Sequence, residues 1–124
     1  MKRLDRINYL QLEVADLDRS GRWYRRMLSL KPAPTVRANE LVILKCGQDL
    51  TLHLVRGSPA RSRHFRIGLQ LDSRPEVRAW RAHMDHNGAT ASPIEERDSY
   101  YGFILADPDG YVLEFFTAAP EDDE

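Results

Sequence analysis

Tyr9-Leu10-Gln11-Leu12-Glu13-Val14 decides the reading of this chain, because the stretch is written a second time. A shift of 57 residues lays Leu10, Leu12 and Val14 on Ile67, Leu69 and Leu71, within Arg66-Ile67-Gly68-Leu69-Gln70-Leu71. The same shift places Trp23 on Trp80 and Met27 on Met84. Farther along, the shift grows to 61: Val42-Ile43-Leu44 falls on Phe103-Ile104-Leu105, and Leu50, Leu52 and Leu54 fall on Tyr111, Leu113 and Phe115. Residues 7–14 alternate apolar with polar side chains, the period-two signature of a strand with one buried face. Two copies of one small unit usually pack about a pseudo-twofold axis, so equivalent positions meet. Those positions are Tyr9 with Arg66, and His53 with Glu114.

Working outward from the first strand, Asp16 or Asp18 caps a helix running to about residue 28, with Leu17, Trp23, Met27 and Leu28 as its buried stripe. Lys31-Pro32-Ala33-Pro34 stops it. Three short strands are expected around 33–36, over 41–46 and over 50–55, with Gly47-Gln48-Asp49 as a hairpin turn. The second copy repeats the plan. It has a strand over 66–71, Ser73 as a cap with Pro75 in the first helical turn, and a helix over 76–87 ended by Gly88. A strand near Ile94, another over 101–106, the Asp107-Pro108-Asp109-Gly110 turn and a strand over 111–117 complete it. The order is βαβββ twice, an α+β fold read as one domain over 1–124. Module 1 spans about 5–56, a Gly-, Ser- and Pro-containing link 57–63, module 2 about 64–118, and an acidic tail 119–124, expected to fray.

Composition narrows the partners. With 124 residues, 42% of them hydrophobic, the chain makes one domain. A net charge of −1 and a pI near 6.4 give no global attraction to nucleic acid or anionic membrane. No run approaches the roughly 18 apolar residues a membrane span needs, and the charged start Met1-Lys2-Arg3-Leu4-Asp5-Arg6 is no signal peptide. The single cysteine, Cys46, cannot form an internal disulfide and fits a reducing, cytoplasmic setting.

Strand alternation points a mixed set of groups away from the helices: Tyr9, Gln11, Thr51 and His53 in the first copy, and Arg66, Gly68, Glu114 and Phe116 in the second. Such a face makes a cleft rather than a dry core. Ser99-Tyr100-Tyr101-Gly102 reads as a rim loop, so Tyr100, Tyr101 and Phe116 are candidate ligand contacts beside Tyr9, Gln11 and Arg66. Trp23 and Trp80 read as core, His83 and His86 as solvated, Asp107 and Asp109 as turn-forming. Glu13 is a secondary candidate for a base.

Val14-Ala15-Asp16-Leu17-Asp18-Arg19-Ser20, then Trp23-Tyr24 and Leu28-Ser29-Leu30, resembles the opening of the vicinal oxygen chelate superfamily, which includes glyoxalase I, bleomycin- and fosfomycin-resistance proteins and extradiol dioxygenases. Asp107-Pro108-Asp109-Gly110-Tyr111-Val112-Leu113-Glu114 is similarly typical of its close, and Ser29 departs from a usual Gly. The resemblance runs from about residue 6 to 117. It implies paired βαβββ modules in an open, incomplete barrel around a ligand cavity, with helices outside, and a homodimer for chains of this length.

For the site, the resemblance implies metal ligands at Tyr9, His53, Arg66 and Glu114. His53 and Glu114 are able to bind Mn, Fe, Ni or Zn, and they are the candidate catalytic and metal residues. Tyr9 would have to ionise, and the Arg66 guanidinium has no lone pair to offer. A fixed cation about 4 Å from an ion costs on the order of 4 kcal/mol per unit charge at an effective dielectric near 20. A degenerate, metal-free site with an Arg66–Glu114 ion pair is therefore the reading preferred; His64 would supply a further ligand only if the strand register differed. The function expected is small-molecule binding in the cleft. The alternatives are a metal-dependent lyase, isomerase or dioxygenase acting on vicinal oxygens, and a metal-free acid–base enzyme acting on a carbonyl compound.

Overall fold

Alternation in the first strand becomes burial in the structure. Leu12 and Val14 are sealed from solvent, while Tyr9, Gln11 and Glu13 stay exposed. The computed structural model describes residues 2–34, 40–59 and 64–120. Residues 35–36 of the expected third element, 60–63 of the expected link and 121–124 of the tail lie outside the described residues.

The elements run β1 (Tyr9–Val14), α1 (Leu17–Met27), β2 (Lys31–Pro32), β3 (Leu41–Cys46) and β4 (Leu50–Arg56), then β5 (Arg66–Gln70), α2 (Arg74–His86), β6 (Glu95–Arg97), β7 (Tyr100–Ala106) and β8 (Val112–Thr117). This is βαβββ twice, in an α+β fold. The chain divides into two compact units, Met1–Ala60 and Arg61–Glu124. Each holds one open, four-stranded mixed sheet, ordered β1-β4-β3-β2 in the first and β5-β8-β7-β6 in the second. First and last strands of each unit pair in parallel, and the remaining pairs are antiparallel.

In the first unit, Leu17, Tyr24 and Met27 of α1 pack with Leu12, Val14, Leu44, Leu52 and Leu54 of the sheet. Burying each such side chain stabilises the fold by roughly 1.5–3 kcal/mol. Asp16 starts α1, accepting the Arg19 backbone N–H at 3.0 Å. That bond, aided by the Arg19 and Arg22 charges, holds its carboxyl below the usual range. The second unit buries Val77 and Met84 of α2 against Phe103, Leu105, Leu113 and Phe115. Ser73 caps α2 by accepting the Glu76 N–H, and Gly88 follows it in the left-handed region at φ 76°.

Three expectations need correction. The buried aromatic of α1 is Tyr24, wholly enclosed, and Trp23 is only half-buried. The stripe Leu17, Ser20, Gly21, Tyr24, Met27 keeps the i, i+3, i+4 spacing, and position 23 lies off it. The edge strand β2 includes Lys31–Pro32, ahead of the expected start at 33, where it pairs with β3, and Ala33 extends the ladder by donating its N–H to the Ile43 carbonyl. Proline is tolerated there because an edge strand presents one N–H to solvent. Tyr100 and Tyr101 do not sit in a loop: β7 begins at Tyr100, after a tight turn at Asp98-Ser99. The Asp107 reading holds, since its Oδ1 accepts the backbone N–H groups of Asp109 (2.9 Å) and Tyr111 (2.8 Å) and so closes the β7–β8 turn.

Beyond its Leu28 cap, α1 leaves through Ser29 at φ 55°. A left-handed non-glycine residue is strained by about 1–2 kcal/mol, part of which glycine would return through its freer unfolded chain. Ser29→Gly should therefore stabilise the protein by about 0.5 kcal/mol, read as a higher urea midpoint with unchanged slope. A lower midpoint would show that the Ser29 side chain contributes more than its backbone costs.

Candidate functional site

The solvent face of the second sheet is built by parity. On β8, Leu113, Phe115 and Thr117 are buried, while Val112, Glu114 and Phe116 point the other way. Register sets Glu114 beside Gly68 on β5 and Ile104 on β7, and sets Phe116 beside Gln70 and Gly102. Arg66 stands on the same face of β5, diagonal to Glu114. Its guanidinium Nη1 lies 3.8 Å from Glu114 Oε2, an ion pair too long for a hydrogen bond. Half of the Arg66 side chain remains exposed, against a fifth of Glu114. The short contact at Glu114 comes instead from Tyr100, whose hydroxyl donates to Oε2 at 2.6 Å.

Tyr100 reaches Glu114 by lying along β7 over Gly102. A Cβ at Gly102 would meet the Phe115 carbonyl oxygen at 2.5 Å, Phe116 Cβ at 2.8 Å and the Tyr100 hydroxyl at 2.9 Å, so no side chain fits there. Phe116 stacks on Tyr100 with rings 6.1 Å apart and 9° between planes. The Arg97 guanidinium covers the Tyr100 ring at 4.2 Å. Beside Tyr100 lies a cavity of about 340 Å³ whose lining includes Arg66, Glu114, Ile94, Gly102 and Ile104. A cation, a carboxylate and a phenol thus meet an apolar wall in one unit.

Burial pushes the Tyr100 phenol up to about 12, and its hydrogen bond to Glu114 adds to the shift. Its O–H is therefore a donor at any physiological pH. In the first unit, Tyr9 stacks on His53 (4.5 Å between rings, 13° between planes), and His53 Nε2 is hydrogen-bonded to Thr51 Oγ1 at 3.1 Å. Gln11 neighbours His53 in register on the same face.

Of the residues singled out in the sequence, Arg66, Glu114, Tyr100 and Phe116 come together on the second sheet, and Tyr9, Gln11 and His53 on the first. Tyr101 does not join them. It faces α2, with the Arg74 guanidinium 4.8 Å over its ring and Arg78 Nη1 donating to its hydroxyl at 3.3 Å. Arg97, Ile94 and Gly102 escaped the sequence reading. The signal was present in the two-residue turn at Asp98-Ser99, which sets Arg97 opposite Tyr100.

Two βαβββ units, each turning a polar and aromatic sheet face away from its helix, define a class of α+β tandem-module domain. The chain belongs to the Glyoxalase/Bleomycin resistance protein/Dioxygenase superfamily, whose family model matches residues 6–115. No curated protein matches it significantly. Among solved structures it is similar to a lactoylglutathione lyase from Agrobacterium tumefaciens, with TM-score 0.77, 21% identity, and 93% of this chain and 95% of that one covered. It is also similar to a possible glyoxalase from Bacillus cereus (TM-score 0.76, 22% identity, 88% and 96% covered). The fosfomycin resistance protein FosX from Mesorhizobium loti is a third such likeness (TM-score 0.75, 16% identity, 93% of each chain). At these identities the likeness establishes the fold.

Members of the superfamily often use a divalent metal. The groups described around Glu114 do not make up a ligand set for one. Among the described residues no three of His, Cys, Asp and Glu gather as a possible ion cluster. The nearest charged neighbour of Glu114 is a guanidinium, which cannot coordinate.

Two outcomes test this geometry. A phenol pushed up from 10 to about 12 favours the folded state below pH 10, and that contribution is lost as pH rises from 10 to 12. Ultraviolet titration of the folded protein should therefore show a phenolate step near pH 12 that Tyr100→Phe abolishes; an unchanged titration would remove Tyr100 from the site. Gly102→Ala should destabilise by roughly 1–3 kcal/mol through overpacking and bring that step down, because the added methyl displaces the phenol from Glu114.

Proposed function

We propose that the protein binds a small molecule in the Arg66–Glu114–Tyr100 cavity and holds it with side chains rather than through a resident metal ion. The observation that carries this reading is the meeting of guanidinium, carboxylate and phenol in a cavity whose apolar lining includes Ile94 and Ile104. About 340 Å³ falls within the range of small-molecule sites. Arg66, spending little on its 3.8 Å pair, offers parallel N–H donors to a carboxylate or carbonyl. Glu114 accepts from a ligand hydroxyl or amine, and the apolar wall takes a ring. A compact aromatic acid has this chemistry.

The short Tyr100–Glu114 bond supports a second reading, a metal-free acid–base enzyme acting on a carbonyl compound. It uses the same groups and differs only in turnover. A homodimer and a cytoplasmic location belong to the proposal as well. Leu4, Ile7, Tyr9 and Phe65 leave large apolar area exposed, which supports self-association. Cys46 is a free thiol, which suits a reducing compartment.

Thermal melting with a panel of aromatic carboxylates, with and without chelator, tests the reading. Saturating ligand should raise the melting temperature, by about 2.7 kcal/mol of stabilisation at a hundredfold excess over Kd, and chelator should change nothing. Arg66→Ala should weaken binding by roughly 10- to 150-fold, the worth of a charged hydrogen bond of about 1.5–3 kcal/mol. Near-stoichiometric Mn, Fe, Ni or Zn in protein purified without chelator would overturn the metal-free reading.

A further inference from the structure

The first unit carries a groove that the ligand site does not use. It lies where α1 ends: Ser29, left-handed, turns the chain out of the helix, and Lys31 and Pro32 of β2 form the opposite wall. Its volume is about 750 Å³. Five of its nine lining residues are cationic (Arg19, Arg22, Arg25, Arg26 and Lys31), and none is acidic. Half-buried Trp23 sits among them, its ring edge-on to Tyr24 at 4.9 Å.

The duplicated helix serves as an internal control. At the shift of 57 residues that superposes the two copies, Arg19, Arg22, Arg25 and Arg26 correspond to Glu76, Ala79, Ala82 and His83. Helix α2 packs on its own sheet in the same topology without those charges, so the fold does not demand them. The arginines that α2 does carry hold structure. Arg74 binds Glu96 at 2.7 Å and the Ala119 carbonyl at 3.2 Å, and Arg81 binds the Ser92 and Ala91 carbonyls. By contrast Arg22, Arg25 and Lys31 are exposed, and among the described residues no carboxylate stands within ion-pairing distance of them. On α1, Arg22 and Arg25 lie three residues apart, a spacing at which like charges repel, and Asp16 answers Arg22 only from beyond ion-pairing distance. A bound polyanion would relieve that repulsion.

We propose that this groove binds a multiply charged phosphate ester carrying a flat ring, a nucleoside triphosphate in chemical class. Guanidinium groups pair bidentately with phosphate oxygens, and the indole offers a face for the ring. A single phosphate would leave most of the 750 Å³ empty. The groove shares no lining residue with the cavity on the second sheet.

The test is isothermal titration of the full chain with adenosine triphosphate, inorganic tripolyphosphate and adenosine, together with tryptophan emission. Adenosine triphosphate should bind saturably and quench Trp23, binding at least tenfold tighter than tripolyphosphate or adenosine. The double variant Arg22→Ala/Arg25→Ala copies what α2 already tolerates at Ala79 and Ala82, so it should fold, and it should bind at least tenfold more weakly. Trp23→Phe, with Trp80 still reporting, should lose the quench. Tripolyphosphate binding as tightly as the nucleotide would overturn the ring contact. Absence of saturable binding, or equal affinity in the double variant, would overturn the site.

Discussion

Everything in each unit hangs on the parallel pairing of its first strand with its last. β1 lies against β4, with Tyr9 facing Thr51, and β5 lies against β8, with Arg66 facing Val112. A parallel pair cannot be closed by a tight turn; it needs a long crossover. Here the crossover is a helix and two further strands, which then cover one face and extend the sheet. The opposite face is left without a helix, and it receives the side chains that alternate away from the core. That is why a guanidinium from one end of the second unit and a carboxylate from the other come to share a cavity with a phenol.

The electrostatics of that cavity follow from the same geometry. Glu114 is flanked by glycine on β5 and by isoleucine on β7, so its own strand neighbours offer it no polar partner. Its charge is met from farther off, by Tyr100 lying across Gly102 and by Arg66 reaching diagonally. Gly68 contributes room as well, since a Cβ there would press on the Phe116 ring at 3.3 Å. Two missing side chains thus shape the site as much as the ones present. The superfamily's metal chemistry has no matching set of donors among these groups.

Local signals were legible in the sequence, and signals that depend on parity or distance were not. Asp16 and Ser73 as caps, Gly88 after α2 and the Asp107 turn involve partners within a few residues, so composition and spacing suffice. Arg66 and Glu114 were found because strand alternation places each on the helix-free face. Tyr101 carries two sequence signals, the first residue of a strand over 101–106 and a place in the segment 99–102 at the rim, and the rim signal alone assigns it to the ligand. In a strand, neighbours face opposite ways, so Tyr100 reaches the cavity and Tyr101 reaches α2. Trp23 falls in the expected core stripe through its match to Trp80 in the repeat, whereas the buried spacing runs Leu17, Ser20, Gly21, Tyr24, Met27. The buried guanidinium of Arg74 was out of reach, because Glu96 and the Ala119 carbonyl become its neighbours only after folding.

The same strand order bears on synthesis. A ribosome delivers β1 well before β4, at about 5–20 residues per second, so β1 waits for seconds with one edge and one apolar face unmatched. Residue Tyr9 cannot meet its partner until Thr51 has cleared the exit tunnel. In that interval the nascent chain displays Leu10, Leu12 and Val14 to whatever holdase or neighbouring polysome is near. The alternating Gln11 and Glu13 keep the waiting strand from being apolar on both sides, and the second unit passes through the same exposure with Arg66 and Gln70 in those roles.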